Sequence, residues 1–127
     1  MSNENWVLKT FTSGHQIDNI GTVQAFLNTE LNGAQRAVCK IAYSDYHTGD
    51  ASVFVMYPTD VSKVDCLTSF NLFEQHTVNN SHDSETLAQE IVKFLNALPS
   101  AQANSARVAA SDAKSNPATL TLWYPKA

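Results

Sequence analysis

Hydrophobic and polar residues alternate in six short runs of this chain, and apolar residues recur every three or four positions in two longer runs. The alternating runs predict strands at about residues 6–12, 36–44, 51–57, 67–74, 106–112 and 118–124. The longer runs predict helices at about residues 18–31 and 84–98, each with an aliphatic stripe on one side. The order strand, helix, strand, strand occurs twice, which predicts an α+β fold of six mainly antiparallel strands and two helices.

The second half of the sequence resembles the first. KIAYSD at 40–45 lies over RVAASD at 107–112, and ASVFVMYP at 51–58 lies over ATLTLWYP at 118–125. With a small shift, FLN at 26–28 lies over FLN at 94–96, and FTSGHQIDN at 11–19 over FEQHTVNN at 73–80. Two copies are too few for a solenoid. We therefore predict a single domain, residues 1–127, made of two pseudo-twofold-related β-α-β-β repeats at about 1–58 and 66–127, with a linker at about 59–65.

A shared core would explain why such a unit is duplicated. A unit of about sixty residues buries only about 60% of the surface that its unfolded chain exposes, so it is marginally stable alone. One helix also covers only one face of a three-stranded sheet. Two copies in one chain can therefore bury surface that neither could hide by itself.

Alternation along the strands assigns side chains to the two faces of each predicted sheet. Val53 and Val55, with Leu120 and Leu122 in the second copy, are predicted to face the helices. An apolar second face, as in the first copy, is typical of a surface that something covers: the other copy, a second subunit or a ligand. We favour a protein surface. The residues of the second face are Phe54, Met56 and Val38 in the first copy, and Arg107, Thr119, Thr121 and Trp123, mostly polar, in the second; Phe54, Met56 and Trp123 are candidate binding residues.

Histidines are the main candidates for polar chemistry, because phosphate-binding, dinucleotide and zinc-protease motifs are absent and neither cysteine belongs to a CxxC pair. His15 and His76 occupy similar contexts, HQIDN and HTVNN. We favour the interpretation that each histidine caps backbone groups where a strand meets a helix. The alternative is that the two are a pair of ligand-binding residues, which with Asp18, or with the pair at 82–83, would form a metal site. No metal ion or other cofactor is predicted.

Charge and hydropathy exclude several classes of function. The net charge of −4 is divided evenly between the two halves, so no basic surface indicates nucleic acid binding. The longest apolar runs have the length of a strand, and the N-terminus MSNENWVLK lacks the features of a signal peptide. We predict a cytoplasmic protein that binds neither nucleic acid nor membrane.

The segments VLKTFTSGHQID, VQAFLNTEL, KIAYSD and ASVFVMYP resemble very small sporulation-associated proteins of Gram-positive bacteria. The resemblance implies a βαββ fold and a bacterial or phage origin, and it carries no chemistry over to this chain. At the level of fold alone, the tandem modules are similar to domains related to gyrase-inhibitory proteins, which hold small molecules in a groove between the copies. That similarity implies an aromatic groove with an acidic residue, for which Glu90 is the nearest candidate.

The sequence predicts a non-enzymatic interaction or assembly module that binds itself or another protein. The alternative is a small-molecule-binding domain with a groove between the two repeats. An enzyme is the third class, with His15 and His76 as the residues to test.

Overall fold

Each half of the chain folds into a three-stranded antiparallel sheet with one long and one short helix. The computed structural model describes residues 4–45, 50–65, 68–80, 84–111 and 118–127. A short 3-10 helix lies between the halves at Val61–Lys63. The first half contains β1 (Trp6–Ser13), α1 (Gln16–Thr29), α2 (Gly33–Val38), β2 (Lys40–Asp45) and β3 (Ala51–Pro58), and the second contains β4 (Phe73–Asn80), α3 (Ser84–Ala97), α4 (Ser100–Ser105), β5 (Arg107–Ser111) and β6 (Ala118–Pro125).

The two sheets have the same strand order and the same register. The first sheet is ordered β1-β3-β2 and the second β4-β6-β5. Trp6 lies opposite Pro58 in the first sheet, and Phe73 lies opposite Pro125 in the second. Each residue of the second pair follows its counterpart in the first pair by 67 positions. The long helices start at Gln16 and Ser84, and these two starts are separated by one position more than the equivalent strand residues are. The predicted α+β fold with two repeats is therefore confirmed, with one extra residue before α3.

Two sequence-based assignments are corrected by the structure. The predicted strand at 36–44 begins as helix, because Asn32 and Gln35 form a capping box that starts α2, and only β2 is extended. The same short helix recurs as α4, so the described residues contain four α-helices where two were predicted. The first strand of the second repeat is β4 rather than 67–74. Phe73 is consequently the counterpart of Trp6, and its predicted alignment with Phe11 is wrong.

Helix α1 packs between the two sheets. Its apolar residues join Val53 and Val55 of the first sheet to Trp123 of the second in one core. The sheets approach each other along β2 and β5, and α1 fills the space on the other side, against β1, β3 and β4. The predicted shared core is thus present. Its buried members are Ile20, Val23, Leu27, Leu31, Cys39, Val53, Val55, Phe73, Ala109 and Trp123.

Helix α3 lies on the outer face of the second sheet. Ile91 packs there with Leu122 and Tyr124 in a separate, smaller core. The order across the molecule is therefore first sheet, α1, second sheet, α3. Within the described ranges, no helix is both long and apolar enough to cross a bilayer.

The chain between the repeats is held against α2 by Arg36. This side chain is 9% exposed. Its Nη1 donates to the carbonyl oxygen of Leu31 at 2.6 Å, and its Nε donates to the carbonyls of Phe70 and Asn71 at 3.3 and 3.2 Å. The amide of Phe70 also donates to the carbonyl of Gly33 at 2.9 Å. These bonds set the position from which β4 begins.

Candidate interaction surface

The two repeats contact each other through different faces. Repeat one contributes its helix side, and repeat two contributes the sheet face that does not carry α3. The carboxamide of Asn28 binds both backbone groups of Phe73: Oδ1 accepts from its amide at 2.7 Å, and Nδ2 donates to its carbonyl at 3.0 Å. Gln24, one turn earlier, donates to the same carbonyl at 3.1 Å. The first residue of β4 is therefore bonded to α1.

On the side away from α1, the two repeats meet along β2 and β5. The Arg107 guanidinium donates to the carbonyls of Ala37 and Cys39, where α2 ends. Trp123 Nε1 donates to the Tyr43 hydroxyl at 3.0 Å. Burial raises the pKa of Tyr43 to about 12 and that of Cys39 to about 11, so both side chains are neutral at pH 7. The hydroxyl of half-buried Tyr43 thus accepts the hydrogen bond of the fully buried Trp123 indole.

Replacing Asn28 by alanine should lower the free energy of unfolding by about 1–3 kcal/mol, because both backbone groups of Phe73 lose a partner in a part-buried site. Asn96 occupies the matching position on α3 and is exposed. Asn96→Ala should change stability by less than about 0.5 kcal/mol in dilute protein. Urea denaturation measures both values, and equal effects would contradict the assignment of Asn28 to the contact between repeats.

In the first sheet, the face that does not carry α1 is directed towards solvent. Alternate residues of β1 and β3 point there, and the register sets Leu8 opposite Met56 and Thr10 opposite Phe54. Trp6 is 39% and Leu8 58% exposed, while Phe54 and Met56 are half-buried. Neither core of the described residues includes these side chains. Trp6, Leu8, Phe54 and Met56 together form the open face.

Three of the four counterparts of the open face are fully buried, and the fourth, Gln75, the counterpart of Leu8, is half-buried. Phe73, which corresponds to Trp6, is fully buried, and so is Trp123, which corresponds to Met56. Thr121, the counterpart of Phe54, is likewise inaccessible. The predicted binding residues of the second faces therefore lie in two different environments. Trp123 lies in the contact between repeats, whereas Phe54 and Met56 lie together on the open face.

A groove lies beside the open face where the two repeats meet. Its rim includes Lys40, whose Nζ is 5.7 Å from the centre of the Trp6 ring, and Asp65. Its floor includes Arg107, which is already bonded to main-chain carbonyls. The lining residues are Trp6, Ala37, Val38, Cys39, Lys40, Ile41, Val64, Asp65 and Arg107.

The structure does not place the two histidines at equivalent positions. His15 precedes α1 as its N-cap residue and is exposed, and its side chain makes no capping bond. His76 lies within β4, opposite Leu122, and its ring stacks on Phe94 at 4.0 Å between centroids. The predicted equivalence is wrong because it depended on aligning Phe11 with Phe73. A binding role for either histidine remains a prediction.

The proposed metal donors at 82–83 fall outside the described residues. Within the described part of the chain, no group of three or more histidine, cysteine or acidic side chains is arranged to hold a metal ion. Glu90 is exposed on α3 and is not part of the groove between the repeats.

Leu8 and Val92 are among the exposed apolar residues that were not singled out from the sequence. Leu8 belongs to the open face, and Val92, on the outer side of α3, is 53% exposed. The alternation of Trp6 and Leu8 along β1 was a usable signal. Val92 lies beside the predicted stripe of α3 rather than on it, and only its exposure identifies it.

The comparisons with known proteins provide no family. No family model matches this chain, and neither a curated protein nor a solved structure matches it. The repeated fold and the open face are therefore the basis for any functional conclusion.

Proposed function

We propose that this protein is a non-enzymatic cytoplasmic assembly module, and that its open face binds a protein surface. One observation carries the proposal: most of the equivalent face of the second sheet is buried, with Phe73 and Trp123 in the core shared with repeat one, whereas the open face belongs to neither core of the described residues. Each repeat thus has a sheet face without its own long helix, and in the described residues only that of the second repeat takes part in the contact between repeats.

The composition of the open face supports a protein partner. Its four members are two aromatic residues, a methionine and a leucine, adjacent on two paired strands. Aromatic residues and methionine are enriched at the centres of protein interfaces, and a contiguous apolar patch of this kind is typical of an interaction site. Lys40 beside Trp6 adds a charged rim.

The groove between the repeats is the site for the alternative, a small-molecule-binding domain. The fold-level similarity to ligand-binding tandem modules suggests this function, and the resemblance to sporulation-associated proteins suggests a bacterial or phage origin. The groove supports it less well than the open face supports a protein partner, because Arg107 already has carbonyl partners there. We therefore favour the protein surface.

Hydroxyl-radical footprinting tests the proposal. Oxidation of Trp6 and Met56 is measured by mass spectrometry in dilute purified protein and at natural abundance in extract of the cells that make it. We expect several-fold slower oxidation in the extract. Exposed Ile17, on α1, provides the reference for radical dose, and buried Trp123 should stay protected in both samples. Equal normalised rates for Trp6 and Met56 in the two samples would contradict the proposal.

A further inference from the structure

The contact between the two repeats leaves one copy of each contact surface unused. Within the described residues, repeat one uses its helix side in this contact and not its open face, whereas repeat two uses its sheet face and not its helix side, around α3. We propose that the helix side of repeat two in one molecule binds the open face of a second copy, in the way that repeat one binds repeat two within the chain. This inference rests on the proposed function and names the partner.

The outer side of α3 matches the contact stripe of α1. Ile20, Gln24 and Asn28 follow one another at four-residue spacing on α1, where Ile20 is 3% exposed and the other two are half-buried. Their counterparts on α3 are Ala88, Val92 and Asn96, and all three are exposed. These three residues line a shallow surface depression together with Glu85, Gln89 and Lys93. A polar Gln24 inside the chain thus corresponds to an apolar Val92 at the surface.

The specific hydrogen bonds of the internal contact also have counterparts. Asn28 binds the backbone of Phe73, the first residue of β4. Asn96 is the same residue type at the matching position, and Trp6 is the first residue of β1. In the proposed contact, the Asn96 amide of one molecule binds the backbone of Trp6 in the next. The side chain of Trp6 then lies against α3.

A cationic residue is retained at the edge of the contact. Arg107 donates to the carbonyls of Ala37 and Cys39 at the end of α2. Its counterpart on the open face is Lys40, which is exposed. The corresponding carbonyls, at the end of α4, are those of Asn104 and Ala106. A lysine ammonium is attracted to the C-terminal carbonyls of a helix.

The exposed large apolar residues concentrate on these two surfaces. Six such residues are exposed in the described part of the chain. Trp6 and Leu8 lie on the open face, and Val92 lies on α3. Val108, 52% exposed, is the counterpart of Ile41, a half-buried residue of β2 beside the contact between repeats. Four of the six therefore occupy positions equivalent to the internal contact, and the remaining two are Ile17 and Leu72.

The proposed contact joins two different surfaces, so it is heterologous. A heterologous contact adds subunits until the rotation closes a ring, or else continues as a filament. A symmetric dimer would instead join the same surface on both copies. The two arrangements predict different behaviour when each surface is blocked separately.

Two single variants block one surface each. Phe54→Glu places a charge on the open face, and Val92→Glu places one on α3. We expect wild-type protein to form dimers and larger species as concentration rises in sedimentation velocity, and each variant alone to associate at least about tenfold more weakly. Ile17→Glu is the matched control: it lies on neither surface and should associate as wild type does. Leu8→Glu replaces Phe54→Glu if circular dichroism finds that the latter is misfolded.

Mixing the two variants is the decisive measurement. Phe54→Glu retains an intact α3, and Val92→Glu retains an intact open face, so an equimolar mixture should form a one-to-one heterodimer that does not grow. A dimer through two open faces predicts instead that Val92→Glu associates normally alone and that mixing restores nothing. That result would overturn the inference.

A separate outcome distinguishes this inference from the proposed function. If wild-type protein remains monomeric at high concentration, while Trp6 and Met56 are still protected in cell extract, the partner is a different protein and the inference is wrong although the proposed function survives. If neither concentration nor extract protects these residues, both proposals fail.

Discussion

Replacing Trp123 by alanine should lower the free energy of unfolding by about 3–5 kcal/mol, the largest effect expected of a single substitution in this chain. The indole is fully buried among residues of both repeats, so its removal leaves a cavity at the centre of the shared core. It also removes the indole N–H, from which the Tyr43 hydroxyl accepts a hydrogen bond. Urea denaturation followed by far-ultraviolet circular dichroism measures the change.

Met56→Ala is the matched control for this substitution. Met56 occupies the same position of the first sheet, opposite Lys40 as Trp123 is opposite Arg107, but it is half-buried on the open face. In dilute protein its truncation should cost less than about 1.5 kcal/mol, because less apolar surface returns to water. Similar losses from both substitutions would mean that the two sheet faces are covered alike.

Arg36→Met should lower the free energy of unfolding by about 3 kcal/mol. The guanidinium bonds to the carbonyls of Leu31, Phe70 and Asn71 in a nearly inaccessible site, and methionine leaves these acceptors without a donor. Arg36→Lys should recover less than half of the loss, because an ammonium cannot reproduce the planar fork that reaches both sides of the site. Thermal and urea unfolding provide the measurement.

Lys126→Met is the control for removal of a positive charge. Its Nζ lies 3.9 Å from Glu74 Oε1 on the surface, so the substitution should change stability by less than about 0.5 kcal/mol. If Arg36→Met were equally mild, the chain between the repeats would be positioned by its backbone bonds alone.

Much of the fold was predictable from local pattern. Strands β1, β3 and β6 and helix α3 lie within a residue or two of their predicted bounds, because alternation and helical spacing are strong there. The start of α2 was missed although the pair Asn32 and Gln35 has the spacing of a capping box. The start of β4 was misplaced because Phe73 was aligned with Phe11, a short match in which the identical letters outweighed the spacing of the strands.

The candidate site was predictable only in part. Alternation placed Phe54 and Met56 on a second apolar face, and the structure finds them half-buried together. The same reasoning described the equivalent face of the second sheet as mostly polar, and the structure shows that Thr121 is fully buried there. The Thr121 hydroxyl is hydrogen-bonded to the Thr77 hydroxyl at 3.0 Å. This bond offsets the cost of removing the Thr121 hydroxyl from water.

The sequence by itself determined the six strands and two long helices, the duplication and the apolar character of both the helix-facing and the second face of the first sheet. Only the tertiary structure decided which faces meet, because a periodic pattern records that a surface is apolar and contains no information about what lies against it. Helix α1 packs between the sheets because Asn28 and Gln24 find backbone partners at Phe73, a contact between residues 45 and 49 positions apart. That long-range choice covers Trp123 and leaves Trp6 exposed.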